Sequence, residues 1–473
     1  MTGRDGFPGE GGADGTSGVL DVPLSYAQQS VWFLERRAGR TRYADPMTFR
    51  LTGELDPTAL RAGIQELADR HEALRTSFPV VAGLPVQRVS PHIEVPLPLT
   101  DLTALPVAER DRTLSQYLAE DLRAPFDLAR GPLVRAALIR LAPHEHVVRI
   151  TLHHLVSDAW SWWRVLLREL EQLYSAYVHG RPSPLPPPPA QYRDFVRWQH
   201  DWLAGPVYPR QLEHWQRELA GVVPLPPLAL ATPSPPPDRQ PPRTRWSALP
   251  GDLYDRLRAA ARRERVSLFM LLHAAFLRVL RRHTDTDDIL VATRSGYRAR
   301  PEFEQAAGFF VNLLPVRTRV PAEGDFRGLL RQVRRALIGG YAHRDAPFER
   351  LAPDLGLWRP GFGAAISVCV SFQTAAEVPP ALEGLDVTLI DHDPFSPYPL
   401  DLGFYEDAGT LRALLIHDPG QYDDAAAARL LDELHHALAD ACQELELELE
   451  LELDARSDEA AGAPGRVMPQ EAT

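Results

Sequence analysis

A chain of 473 residues is long for one hydrophobic core, so two lobes are expected, and 44% hydrophobic with 24% charged residues is an ordinary composition for a well-folded soluble protein. A formal net charge of −12 argues against nucleic acid as the main partner, because neutralising phosphates needs a basic face. All 51 cationic side chains are Arg and none is Lys, which removes a Schiff-base or catalytic amine.

Residues 1–20 are rich in Gly, Asp and Ser, lack the apolar segment of a secretory leader, and read as disordered. Helical periodicity begins at 25–37. A second amphipathic helix is predicted at 57–71, with Leu60, Ile64 and Leu67 on one face, and a third at 107–124. Residues 138–141 and 147–152 read as two strands around a Pro-His-Glu turn. Trp163, Leu166, Leu167, Leu170 and Leu173 repeat at helical spacing, which predicts a helix over 160–179. Six prolines occupy the eight positions 182–189, and nine occupy the nineteen positions 224–242; such runs break helix and sheet. The segment between them, 191–219, reads as helical and Trp-rich.

The lobe boundary is therefore placed near residue 185. It gives an N-terminal lobe at 21–185 and a C-terminal lobe at 186–454 that includes a proline-rich linker at 220–245. In the second lobe, helices are predicted at 252–264, 267–282, 325–341 and 423–442, and strands at 289–293, 312–318, 366–372 and 411–417. The alternating Glu-Leu run at 444–453 mimics a strand but is low-complexity, and its structure stays open; 455–473 reads as disordered. Helices and strands mixed in both halves make an α/β protein. Two isolated cysteines, Cys369 and Cys442, suggest neither a disulfide framework nor a zinc site and suit a reducing cytoplasm. No run reaches the roughly 18 apolar residues of a membrane span.

The segment with the most chemistry is His153-His154-Leu155-Val156-Ser157-Asp158. It leaves a predicted strand and enters a predicted helix, so it is a loop held by rigid elements. Adjacent strand-end residues point to opposite sides, so one His should face an internal space and the other should be packed away. Asp158 falls where a carboxylate can accept helix N-terminal N–H groups or pair with a buried cation. An imidazole suits proton transfer near neutral pH, and could take or align the proton of an amine attacking a carbonyl. A packed core pair and a metal site are the other readings, the metal lacking a third ligand at recognisable spacing. The chain carries its own control. His435-His436-Ala437-Leu438-Ala439-Asp440 has the same spacing within an amphipathic helix, where it reads as a solvated face. The strand–loop–helix setting is what separates the two.

With its flanks, Leu152 to Ser161 resembles the third core motif of nonribosomal-peptide condensation domains. Five other segments match motifs of that family in order. They are Leu24-Ser-Tyr-Ala-Gln-Gln-Ser-Val-Trp-Phe-Leu34, Arg70-His-Glu-Ala-Leu-Arg-Thr-Ser-Phe78, Tyr192-Arg-Asp-Phe-Val-Arg-Trp198, Gly308-Phe-Phe-Val-Asn-Leu-Leu-Pro-Val-Arg317 and His343-Arg-Asp-Ala-Pro-Phe-Glu349. The likeness continues into Ser371-Phe-Gln-Thr374 and covers about 20–450.

The resemblance implies two chloramphenicol acetyltransferase-like lobes in a V-shaped pseudo-dimer with a central tunnel. It implies no bound cofactor. The donor is an acyl or aminoacyl thioester on the phosphopantetheine of an acyl or peptidyl carrier protein, and the acceptor is a small molecule or carrier-bound amine or hydroxyl. His154 matches the tunnel-facing His, His153 its structural neighbour, and Asp158 the Asp that pairs with an Arg of the other lobe, here Arg298. Ala159, Trp160, Ser161, Asn312, Ser371 and Gln373 fall at tunnel or substrate-lining positions, Ala159 standing where the family usually has Gly. Trp160, Trp162 and Trp163 read as helix packing or as an aromatic substrate wall. Arg-rich helical faces at 256–265, 278–282 and 327–335 read as solvated surface or as a dock for an acidic carrier. With no adenylation signature or carrier serine motif, the chain reads as a free-standing, cytoplasmic condensation enzyme of antibiotic or other natural-product biosynthesis. A catalytically silent recruitment module and an aminoacyl-thioester epimerase are the competing functions.

Overall fold

The computed structural model describes residues 20–38, 43–231, 242–359, 363–364, 366–373, 378–390, 396–407 and 409–462. The expectations for 1–19, for the centre of the proline-rich linker at 232–241, for Thr374 and for 463–473 lie outside them. Two compact units partition the chain. The first takes Met1–Gly205, Gly296–Val311 and Val378–His392, and the second takes Pro206–Ser295, Asn312–Glu377 and Asp393–Thr473.

The first unit is built on a five-stranded sheet in the order Leu385–Leu389, Ala44–Gly53, Glu145–His153, Val134–Ala142, Leu99–Asp101. Neighbours are antiparallel except for the last pair. The strands Val134–Ala142 and Glu145–His153 are the predicted hairpin, and Val147, Val148, Ile150 and Leu152 are buried in it. Helix Pro57–Arg70 starts where Asp56 accepts from the Thr58 and Ala59 N–H groups, with Pro57 supplying a fixed φ at its first position. Its buried face includes Leu60, Ile64 and Leu67. Gly63 on that face lets helix Leu167–Val178 approach, since a Cβ there would lie 3.0 Å from Leu170 Cδ1. A π-helical turn, Ser161–Leu166, precedes that helix within what the periodicity predicted as one helix. Such turns are concentrated at functional sites. A second, smaller sheet pairs Leu20–Pro23 and Thr76–Ser77 with Leu84–Val89.

The unit boundary differs from the expected one near 185. The proline run is pinned to the first unit, where the Arg70 guanidinium donates to the carbonyls of Leu185 and Pro186. The predicted helix at 191–219 is two helices, Tyr192–Ala204 and Val207–Glu218, divided at Gly205-Pro206, where proline cannot continue the backbone ladder. The break between units falls at that same peptide.

The second unit carries a six-stranded sheet in the order Val311–Arg319, Asp288–Gly296, Val368–Gln373, Leu400–Asp407, Thr410–His417, Arg243–Ala248. Alternate residues, among them Val291, Val368, Val370, Leu402 and Leu415, join the core beneath helices Gly251–Arg263, Leu268–Arg282, Phe326–Ala342 and Asp424–Gly462. The last of these decides a segment that the sequence left open and corrects one expectation. It runs through the Glu-Leu segment, and it includes 455–462, which had read as disordered. Glu and Leu are both strong helix formers, so an alternation of period two does not prevent a helix. Leu445 is fully buried, while Glu444 takes Arg278, Glu446 takes Arg256 and Glu448 takes Arg327. Of the arginines offered to an acidic carrier, these three are thus paired inside the unit. Among the described residues no helix is long and apolar enough to cross a membrane.

Candidate active site

His153 closes the central strand of the first sheet, with its N–H on the Leu133 carbonyl and its Cα paired with Ala44. Its side chain is fully buried. The ring packs edge-on against Phe126 at 5.7 Å and lies near Tyr43. Nδ1 accepts the Leu155 N–H at 3.1 Å, which leaves the proton on Nε2, 3.6 Å from Glu35 Oε1. Burial pushes this imidazole below its usual range, against the opposing pull of Glu35.

His154 faces the other way and is partly exposed. Its backbone N–H bonds the Tyr43 carbonyl, and its ring sits 5.7 Å from that of Phe309. Nδ1–H donates to the Ser157 carbonyl at 3.1 Å. The same loop that carries the ring therefore selects, for the neutral imidazole, the tautomer whose lone pair is on Nε2. Among the described residues no hydrogen bond is made to that Nε2.

Asp158 is buried beneath the loop and accepts five donors. Oδ1 takes the Ser161 N–H at 2.8 Å, lies 2.7 Å from the Ser161 hydroxyl, and takes Arg298 Nη2 at 3.0 Å. Oδ2 takes Arg298 Nη1 and the Phe310 N–H, each at 3.1 Å. Burial alone would raise this carboxyl, but the Arg298 charge and these bonds overcome it and hold the group below the usual carboxylate range. Arg298 does not come from the other lobe, as the resemblance implied. It stands in Gly296–Val311, which belongs to the first unit with Asp158. Its guanidinium also stacks on Phe310, 4.2 Å from the ring centre.

The substrate-lining expectations divide. Ala159 and Trp160 are exposed, Trp160 by 43%, with its indole N–H on the Glu304 carbonyl. Ser161 is fully buried, its Oγ accepting from the Gly308 N–H and Arg298 and lying beside Asp158 and the Gly308 carbonyl, so it braces the clamp rather than lining a wall. Trp162 and Trp163 are core residues, and Trp162 donates to Asp45. In the second unit, Asn312 is consumed structurally. It donates to the carbonyls of Arg344 and Ala346 and accepts from the Phe348 N–H, which ties the sixth motif to a strand. Ser371 and the half-buried Gln373 lie on the strand Val368–Gln373, on the face opposite Val368 and Val370. In the same unit Glu349 carries a carboxyl that burial pushes up to about 7. The decoy pair His435–His436 lies in helix Asp424–Gly462, with His435 beside the Ser247 hydroxyl. Among the described residues no group of three or more His, Cys, Asp or Glu is placed to hold a metal ion.

Several residues of the quoted motifs had no role in the sequence reading. Tyr192 Oη donates to the Phe309 carbonyl at 2.6 Å and lies 2.9 Å from Ser25 Oγ. Gly308 is demanded by this ring, since a Cβ there would fall 2.0 Å from Tyr192 Cδ2. Gln28 reaches the Leu155 carbonyl at 2.8 Å. The Ser-x-x-Gln spacing at Ser25–Gln28 was a visible capping signal, whereas its link to residue 155 is a matter of tertiary structure.

The family model of the Condensation domain matches residues 20–460. A linear gramicidin synthase chain of Brevibacillus parabrevis is 35% identical over 423 residues, covering 88% of this chain and 8% of that protein. Phosphinothricin tripeptide synthetase PhsC of Streptomyces viridochromogenes is 36% identical over 334 residues, 70% of this chain and 31% of its own length. The chain thus spans a small part of these relatives. Among solved structures, the teicoplanin-biosynthesis X-domain, solved in complex with OxyB, matches with TM-score 0.80 and 26% identity over 89% of this chain and 93% of that one. SgcC5 from Streptomyces globisporus, solved with a naphthyl ethanediol and sucrose, matches with TM-score 0.73 and 27% identity over 89% and 99%.

Proposed function

From the premise that the chain belongs to the condensation-domain family, whose members form amide bonds in nonribosomal peptide synthesis, we propose that it is an acyltransferase. It moves an acyl or aminoacyl group from the phosphopantetheine thioester of a carrier protein onto an amine or hydroxyl, and His154 serves the nucleophile. The observation that carries this reading is the His154 tautomer. With Nδ1–H held by the Ser157 carbonyl, Nε2 presents a lone pair on a partly exposed ring. The nucleophile's N–H or O–H donates to Nε2 as its heteroatom attacks the thioester carbonyl. The C–S bond breaks, and the proton passes to the departing thiolate. Aminolysis of a thioester is downhill, so alignment supplies much of the rate. Asp158 carries no proton in this scheme, since its two oxygens are occupied and its carboxyl is held ionised. The diol in the SgcC5 structure supports a hydroxyl acceptor beside an amine.

The test uses a panel of acyl- and aminoacyl-loaded carrier proteins with mixed amine and alcohol acceptors, read by product mass. Wild type forms product, and His154→Ala loses about 10²-fold or more in kcat. Activity of His154→Ala within a few-fold of wild type overturns the role of His154.

A second reading, a recruitment module for a tailoring enzyme, is favoured by the likeness to an X-domain solved with OxyB. Against it stand an intact His153–His154 pair and a fully bonded Asp158. Turnover of any loaded carrier eliminates it.

A further inference from the structure

We infer that Gln28 is a positioning residue for His154, holding the catalytic loop from behind by one donated hydrogen bond. The inference rests on the reading of His154 above.

Ser25 and Gln28 form a reciprocal pair at the start of helix Tyr26–Ala38. The Gln28 N–H donates to Ser25 Oγ at 3.1 Å, and the Ser25 N–H donates to Gln28 Oε1 at 3.0 Å. Helix capping needs only that carbonyl oxygen. The amide nitrogen of the same side chain is left for a second task. Its two hydrogens go to the Leu155 carbonyl at 2.8 Å and to Gln87 Oε1 at 3.2 Å. Gln87 is itself fixed, its amide donating to the Pro23 carbonyl at 2.7 Å. Gln28 is almost wholly buried, so no water replaces these bonds.

Leu155 is the centre of the loop. Its N–H is held by His153 Nδ1 and its carbonyl by Gln28, so one peptide unit on each side of it is tethered. Two residues further, the Ser157 carbonyl fixes the proton on His154 Nδ1. If the Leu155 carbonyl is released, the 155–157 backbone loses its outer anchor. The Ser157 oxygen then no longer stays within hydrogen-bond distance of the ring. The effect on His154 is on its tautomer and aim rather than on its presence.

Gln28→Glu separates the two tasks. The carboxylate keeps an oxygen for the Ser25 N–H but turns the other against the Leu155 carbonyl and Gln87 Oε1. Only the protonated acid can donate there. Among the described residues, the groups outside the helix backbone that hydrogen-bond to residue 28 are Ser25, Gln87 and the Leu155 carbonyl. The titratable groups one contact further are Tyr192, through Ser25, and His153, through Leu155. In Gln28→Glu, kcat is near wild type at low pH and falls as pH rises through the new carboxyl's pKa, by about 10²-fold at the plateau, with KM unchanged. Gln28→Met, which cannot donate, shows the loss at every pH. Ser25→Ala lowers the Tm but leaves kcat within about two-fold. Long-range ¹H–¹⁵N spectra of the histidines, with His154 assigned by its absence in His154→Ala, need no substrate. They show one Nδ1–H tautomer for His154 in wild type and a mixture in Gln28→Met.

A Gln28→Glu profile that overlays wild type from about pH 5.5 to 9, or an unchanged His154 tautomer in Gln28→Met, overturns the inference. If His154→Ala retains activity, it is the reading of His154 that has failed. If His154→Ala is inactive and both Gln28 variants behave as wild type, only the role of Gln28 has. Should Gln28→Glu not fold, Gln28→Met with its spectrum decides.

Discussion

Both oxygens of Asp158 are saturated by Arg298, Ser161 and the Phe310 N–H in a buried site, so the pair is governed by what happens when one partner is removed. Asp158→Asn leaves the Arg298 guanidinium buried without its counter-charge, at a cost of about 3–5 kcal/mol. Denaturant unfolding of the variant should show a loss of this size, and a loss below about 1 kcal/mol would mean that the clamp is not a structural element. Gly308→Ala acts from the far side of the same clamp. The added methyl falls on the Tyr192 ring, and the overlap should cost about 1–3 kcal/mol in the same measurement, with a fall in kcat because Phe309 and Phe310 move with the backbone. At this scale the sequence was informative about residue types and less so about partners. His153, His154 and Asp158 stood out by spacing and setting. Arg298 was read as coming from the other lobe because nothing local to 298 reveals that 296–311 folds with the first unit. Ser161 and Asn312 were read as lining positions, although their polar atoms are used up by backbone groups more than thirty residues away along the chain.

Elements were legible where one periodicity ruled. The helix Pro57–Arg70 follows its apolar spacing and its Asp-Pro start, and the hairpin over 134–153 follows its apolar runs at 138–141 and 147–152 around the Pro-His-Glu turn. The reading was weakest where two patterns competed. The Glu-Leu run alternates like a strand, and what decides for helix is a buried Leu445 with glutamates meeting Arg278, Arg256 and Arg327, partners more than a hundred residues earlier. Helix Leu268–Arg282 makes a different prediction. His273 lies in its buried face against Phe269, with neither ring nitrogen hydrogen-bonded among the described residues, and burial pushes its pKa down to about 4. An unfolded His binds its proton near pH 6.5, so between about 6.5 and 4 the unfolded chain carries the extra proton, and stability rises with pH across that window. The penalty is absent above pH 6.5 and reaches about 3 kcal/mol at pH 4 and below. His273→Leu should remove this part of the acid sensitivity. The wild-type and variant unfolding free energies, measured from pH 7 to 4.5, should diverge as pH falls, and parallel curves would show that the imidazole is not held neutral.

On the scale of the whole chain, the two units are not consecutive halves. The first needs Met1–Gly205 together with Gly296–Val311 and Val378–His392. Those returning segments contribute particular things. Gly296–Val311 brings Arg298, the counter-charge of Asp158, and Gly308 and Phe309, which receive Ser161 and Tyr192. Val378–His392 brings the edge strand Leu385–Leu389, which pairs with Ala44–Gly53, and Glu383, which accepts from Ser175 and meets His179. A fragment of residues 1–205 therefore has a buried carboxylate without its cation, an uncovered sheet edge and open hydrogen-bond groups around the His loop. The cost of the unpaired Asp158 alone, about 3–5 kcal/mol, is a large share of the 5–15 kcal/mol by which domains are usually stable. The fragment should be aggregation-prone and lack a cooperative unfolding transition, whereas the full chain should show one. Asp158→Asn in the fragment should relieve part of the defect, because there the carboxylate has no cation to lose, although the same change destabilises the full chain. Calorimetry of the fragment and of both Asn variants reads the difference. A native-like transition in the unmodified fragment would show that the first unit folds without its returning segments.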